Sequence, residues 1–100
     1  MVMKQKLLTK KQLQTFVKKF PNWELKRGDK DLVREISFSQ YVDGLVLIAR
    51  ICVHAELLKH HPEITYKYST MRIKLTTHEA KGLTKLDTAL AERIEKLCGK

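Results

Sequence analysis

Three of the chain's four histidines, His60, His61 and His78, fall in one stretch, ELLKHHPEITYKYSTMRIKLTTHE, from Glu56 to Glu79. Imidazoles are the side chains best suited to giving and taking protons near neutral pH. Glu56 stands four residues before His60, so on a helix its carboxylate reaches the same face and can orient or charge-stabilise that ring. The pattern offers an acid-base site of three histidines with a supporting carboxylate. The same residues have plainer readings. Three histidines and a carboxylate resemble a zinc set with an open position, although neighbours on one short segment often point apart. A His-His pair at a helix end also serves as a cap or as solvated surface, and Glu56 with Lys59 as a surface ion pair. His54 reads as surface or packing rather than as a fourth member.

The elements that must position these residues follow from periodicity. Thr9 and Gln12 form a capping box, and Leu13, Phe16, Val17 and Phe20 recur at helical spacing until Pro21. NWELKR and DLVREISF then read as an antiparallel hairpin turning around Gly28-Asp29, with Leu32, Ile36 and Phe38 on one face. Ser39 is expected to cap a second helix with Asp43 in its first turn, running through Leu45, Ile48, Ala49, Cys52 and Val53 toward Lys59. This helix is apolar over much of its circumference, so it needs cover on more than one side, from a sheet and from another subunit. Pro62 disfavours helical geometry at His61 and should end it near the histidine pair.

Two further strand-like runs, EITYKY and MRIKLTT, flank Ser69-Thr70, and Gly82 separates them from a last helix. That helix carries a Thr84-Asp87 capping-box-like pair and the stripe Leu86, Ala89, Leu90, Arg93, Ile94 and Leu97. The order α-β-β-α-β-β-α predicts an α+β fold: one domain over residues 1–100, a four-stranded antiparallel sheet with three helices on one face. If Ser69-Thr70 is a two-residue loop, Tyr68 faces Met71 and His61 falls opposite His78. The second hairpin would then close the site, with a register sensitive to loop length.

Composition narrows the classes. A chain of 100 residues buries little more than half of its unfolded surface, so association would help it. Lys plus Arg number 20 against 11 Asp plus Glu, a net charge of +9 that could draw nucleic acid or an anionic ligand. The basic residues are spread in pairs such as Lys10-Lys11 and Lys18-Lys19, which favours a solubilising surface over nucleic acid. Cys52 and Cys98 have no CxxC spacing, which supports neither a disulfide framework nor a zinc knuckle. The opening MVMKQKLLTKKQ lacks a signal-like apolar run, and GLVLIARICV is short and interrupted by Arg50. A cytoplasmic protein without membrane association is the expectation. GxGxxG, P-loop and GxSxG patterns do not occur. Tyr66, Tyr68 and Trp23 read as sheet packing before they read as stacking surfaces for a flat ring.

Taken together, AELLKHHPEITYKYSTMRIKLTTHEAKGLTKLDTALA resembles the signature of the pterin-4a-carbinolamine dehydratases. The shared features are a helix-end Glu, His-His-Pro, a Tyr in the next strand, a Thr-His-acid triplet, and Gly-Leu-Thr opening the last helix. The resemblance implies an enzyme that dehydrates 4a-hydroxytetrahydropterin to quinonoid dihydropterin, in support of tetrahydropterin recycling, with neither metal nor redox cofactor. It implies that His60, His61 and His78 surround the pterin. Glu56 and Asp87 support them, and Lys59, Thr76, Thr77 and Glu79 lie in the segments lining the pocket. On this view His60 and His78 share the proton transfers and His61 fixes the ring, the exchanged assignment being the alternative. It also implies a homodimer or homotetramer.

Three positions depart from the family pattern: Lys59 where Asp or Asn is usual, Ile64 where Trp is usual, and Lys81 in place of a second small residue. A different class of function competes with the enzyme. It is a non-catalytic module of the same fold that uses its basic surface for nucleic acid or a protein partner.

Overall fold

A computed structural model describes residues 6–99. Its elements are α1 (Lys10–Lys19), β1 (Trp23–Lys26), β2 (Asp31–Ser37), α2 (Tyr41–Leu58), β3 (Glu63–Lys67), β4 (Thr70–Leu75), a 3-10 turn (His78–Ala80) and α3 (Lys85–Gly99). The four strands form one antiparallel sheet in the order β1-β2-β4-β3. The two hairpins are therefore joined through β2 and β4, the second strand of each.

Alternation along the strands decides which face the helices cover. Leu32, Met71, Ile73 and Leu75 are fully buried and join Leu13 and Phe16 of α1, Leu47, Ile51 and Ala55 of α2, and Leu90, Ala91 and Ile94 of α3 in one core. The other face carries ion pairs such as Arg72–Glu35, Lys74–Glu63 and Lys26–Glu24. Fully burying a Leu or Ile side chain is worth about 1.5–3 kcal/mol, whereas an exposed ion pair contributes about 0–1 kcal/mol. The apolar side thus sets how the sheet sits under the helices. Trp23 belongs to this packing: it is buried, and its indole N–H donates to Glu95 at 3.0 Å. Glu95 also pairs with Arg34.

The capping box at Thr9 and Gln12 is present in both directions. The second helix starts differently from expectation. Its N-cap is Gln40, without a side-chain cap bond, and Ser39 lies outside it. The start is held by Tyr66 instead, whose ring stacks on Tyr41 at 4.9 Å and whose hydroxyl donates to the Tyr41 carbonyl at 2.6 Å. A Cβ at Gly44 would overlap the Tyr66 ring, so that position needs glycine for close approach.

The register of the second hairpin is also corrected. Lys67 faces Thr70, so the loop is Tyr68-Ser69 and not Ser69-Thr70. The difference is a two-residue slip, which keeps every side chain on its own face. Alternation fixes the face and cannot detect such a slip. In the observed register Tyr66 faces Met71 and Ile64 faces Ile73, while Tyr68 stands 82% exposed in the turn at φ +38°. Carried past Glu63, this register would set His61 against Thr76 rather than His78.

Candidate active site

α2 ends where Lys59 adopts a left-handed conformation, φ +54°, as its C-cap. Asp, Asn and Gly tolerate this geometry best. Lys59 is exposed, and its backbone N–H closes the helix on Glu56. The reversal sends the two following histidines in different directions.

His60 goes inward. It is 9% exposed, and its Nε2 lies 2.5 Å from Asp87 Oδ1. His61 goes outward and pairs with Glu56. The expected Glu56–His60 contact is therefore corrected. The left-handed cap rotates His60 off the helical face that the four-residue spacing assumed, and His61 takes the carboxylate.

Asp87 is fully buried near the start of α3 and holds three groups. Its Oδ2 accepts from the Thr84 N–H at 2.9 Å, which is Asp87's half of the expected capping pair, and from the Thr77 hydroxyl at 2.7 Å. Its Oδ1 faces His60. The Thr77 hydroxyl has one proton and spends it on Asp87. In the 2.9 Å contact between the two threonine hydroxyls, Thr84 is therefore the donor. No buried side-chain polar atom among the described residues lacks a partner.

Beyond β4 the chain closes a small loop. Thr77 and Gly82 exchange backbone hydrogen bonds of 2.8 and 3.3 Å around the 3-10 turn that opens with His78. Thr77 is thus tied to Asp87 by its side chain while its neighbour His78 stays exposed. One carboxylate links the helix-end histidine segment to the loop that carries the third histidine.

A cavity of about 240 Å³ lies where these segments meet, lined by His61, Pro62, Glu63, Lys74, Thr76 and His78. His61 and His78 do share a pocket, although the strand pairing expected to bring them together is absent. His60 is not among the residues lining it and is buried against Asp87. Of the other expected pocket residues, Thr76 lines the cavity, Thr77 turns to Asp87, and Lys59 and Glu79 are exposed on its flanking segments. Two larger cavities elsewhere among the described residues, of about 310 and 410 Å³, carry none of the candidate histidines. His54 lies apart, 3.4 Å from Arg93.

Sequence reasoning missed the part played by the first hairpin. The Thr76 hydroxyl donates to the Lys30 carbonyl at 2.7 Å, which fastens the β1–β2 turn to the strand leading into His78. Beside it Asp31, 4% exposed, accepts two 3.0 Å hydrogen bonds from the Arg27 guanidinium. Burial pushes the Asp31 carboxyl up, but hydrogen bonds and charge from Arg27, with Lys74 adding to them, outweigh burial and hold it below the usual carboxylate value. Nothing local in the sequence signals this contact, which depends on β2 pairing with β4.

Among the described residues, no group of three or more His, Cys, Asp or Glu is arranged to hold a metal ion. No helix among them is long and apolar enough to cross a membrane.

Comparison with known proteins bears on the family and the fold. A family model described as pterin 4 alpha carbinolamine dehydratase matches residues 6–97. A protein of Prochlorococcus marinus (strain MIT 9313), provisionally named a pterin-4-alpha-carbinolamine dehydratase, is 40% identical over 91% of this chain and 93% of its own length. A Mycobacteroides abscessus protein with the same provisional name is 37% identical over 94% of this chain and 98% of its own. Among solved structures, a transcriptional coactivator/pterin dehydratase from Brucella melitensis matches with a TM-score of 0.89 and 26% identity, covering 94% of this chain and 100% of that one. A pterin dehydratase-like protein described as a RuBisCO assembly factor in the alpha-carboxysome shares the fold. Its TM-score is 0.67 at 20% identity, and the match covers 79% of this chain and 92% of that one.

Proposed function

Since the chain belongs to the pterin-4a-carbinolamine dehydratase family, we propose that it dehydrates a 4a-hydroxytetrahydropterin to the quinonoid dihydropterin by histidine acid-base catalysis. The reaction breaks the bond from carbon 4a to its hydroxyl and removes a proton from the adjacent ring nitrogen, so that water leaves and no net proton is gained or lost. It needs an acid at the hydroxyl and a base at the nitrogen.

In this proposal His60 and His78 share the two transfers, and His61, braced by Glu56, fixes the ring. Asp87 acts as the positioning residue. The observation that carries the reading is the single Asp87 carboxylate bonded to both His60 and Thr77, which sets two histidine-bearing segments around one cavity. Thr76 lines that cavity, and Lys59, Thr77 and Glu79 belong to the segments enclosing it. A buried imidazole with one nitrogen against a carboxylate keeps a defined orientation and leaves its other nitrogen free for proton exchange.

The test is loss of freshly generated 4a-hydroxytetrahydropterin with and without the protein. Acceleration over the spontaneous reaction by roughly a hundredfold or more is expected from acid-base catalysis alone. A rate equal to the spontaneous one sinks the assignment.

Self-association is proposed as well. Val42, Leu45, Val46, Val53 and Leu57 form an exposed stripe along α2, each 45–68% accessible. Such a stripe at helical spacing is suited to packing against a second copy. Val53→Glu is expected to convert a dimer or tetramer into a smaller species in size-exclusion chromatography with light scattering. An unchanged mass, or a native protein that is already a monomer, refutes it.

A further inference from the structure

Next to the cavity of His61 and His78 lies a second concavity of about 260 Å³, lined by Arg27, Lys30, Thr76, His78 and Lys81. The two share Thr76 and His78. Each is a little smaller than most ligand sites, which run to about 300–1,000 Å³, and so suits one part of a ligand rather than the whole. Their linings differ in charge. The first has imidazoles and the Lys74–Glu63 ion pair. The second has three cationic side chains in its wall and no carboxylate.

Arg27 is engaged with Asp31, which is buried and is not among the lining residues. The ion pairs formed among the described residues do not include Lys30 or Lys81. Both sit on backbone fixed to the histidine site. The Lys30 carbonyl accepts the Thr76 hydroxyl, and the Lys81 N–H donates to the His78 carbonyl at 3.1 Å. Lys81 does so at φ +59°, a conformation that glycine adopts without strain and lysine does not. The turn bearing Lys30 likewise holds Arg27 and Asp29 at positive φ around Gly28. Strained backbone placing unneutralised cations beside a candidate active site motivates a functional reading.

We infer that this second concavity is a subsite for an anionic group, a carboxylate or a phosphate, carried on the substituent of the pterin, so that the protein favours pterins with a charged side chain over uncharged ones. The inference rests on the pterin reading above, because the ring seated between His61 and His78 is what directs its substituent toward Lys30 and Lys81. The cations would attract the group electrostatically, and the fixed backbone would make the contact directional.

The test is fluorescence titration with three probes: uncharged 6-hydroxymethylpterin, pterin-6-carboxylate and the phosphate ester of 6-hydroxymethylpterin. The native protein should bind one or both anionic probes roughly tenfold more tightly than the neutral one, and the preference should shrink with added salt. Comparing the two anions identifies the group. Lys30→Ala or Lys81→Ala should each reduce the anionic-to-neutral ratio roughly threefold, and the double variant roughly tenfold. Equal binding of all three probes by the native protein overturns the inference, as does a preference that survives the double change. The dehydratase assay is run separately on an uncharged 4a-hydroxytetrahydropterin. A protein inactive there with a lysine-dependent preference loses the reaction and keeps the subsite, whereas an active protein without the preference does the reverse.

Discussion

Replacing His78 by Ala is expected to lower the rate of 4a-hydroxytetrahydropterin dehydration by roughly 10²–10⁴-fold, the range for loss of a positioned acid or base. The fold should survive, because His78 is exposed at the start of the 3-10 turn and its side chain is no part of the core. The loop keeps its place through the Thr77–Gly82 backbone bonds and the Thr77–Asp87 contact, none of which uses the His78 ring. The expected outcome is therefore a collapse in kcat with an unchanged denaturant midpoint. Substrate decay and urea unfolding of the same preparation measure both. A kcat within a few-fold of the native value would remove His78 from the proton transfers and leave the exchanged assignment, with His61 in its place.

Asp87→Asn should show the converse pattern, with stability and rate falling together. The native carboxylate only accepts, and it meets three donors, the Thr84 N–H, the Thr77 hydroxyl and the His60 ring, in a fully buried position. An amide brings one acceptor and an NH₂ donor, so either the Thr84 N–H and Thr77 meet a donor or His60 must give up any charge and its donor role at Nε2 to accept from the amide. Leaving a buried polar group unpaired costs about 1–3 kcal/mol, and breaking a buried charged contact about 3–5 kcal/mol. We expect a loss of about 3 kcal/mol in urea unfolding. His60 and Thr77 would also lose their common tether, so kcat should drop at least tenfold under conditions where the variant remains folded. Native stability in the variant would mean that the hub does not bind the two segments together. Native kcat in a folded variant would mean that their alignment does not matter to the reaction.

How much of this was legible in the sequence depends on the range of the interaction that decides each feature. The capping box at Thr9 and Gln12 and the Gly28-Asp29 turn were both readable, as was the end of α2 before Pro62. Each is settled by residues within a few positions of one another. Ser39 does not cap α2, because the start of that helix is held by Tyr66 of β3, 25 residues on from Tyr41. Glu56 was assigned to His60 on helical spacing, which does not apply beyond a left-handed cap at Lys59.

The sequence by itself determined the order of the elements, the face that the strands and α1 bury, and the cast of ionisable residues. It did not determine the buried face of α2: the expected residues Leu45, Cys52 and Val53 are all exposed, whereas Leu47, Ile51 and Ala55 are buried. Periodicity, capping and turn chemistry are local, and a narrow apolar stripe declares its face wherever it later packs, which a helix apolar nearly all round does not. Only the tertiary structure decided the pairing of β2 with β4, the two-residue register of the second hairpin, and the partners of His60, His61 and Asp87. Those outcomes turn on the packing of Tyr66 on Tyr41, on which donors reach a buried carboxylate, and on which strand ends meet. Slipping a strand by two residues or turning a ring about a cap leaves the pattern of the sequence unchanged. It changes which side chains touch, and that contact is where an acid-base site and a charged subsite are made.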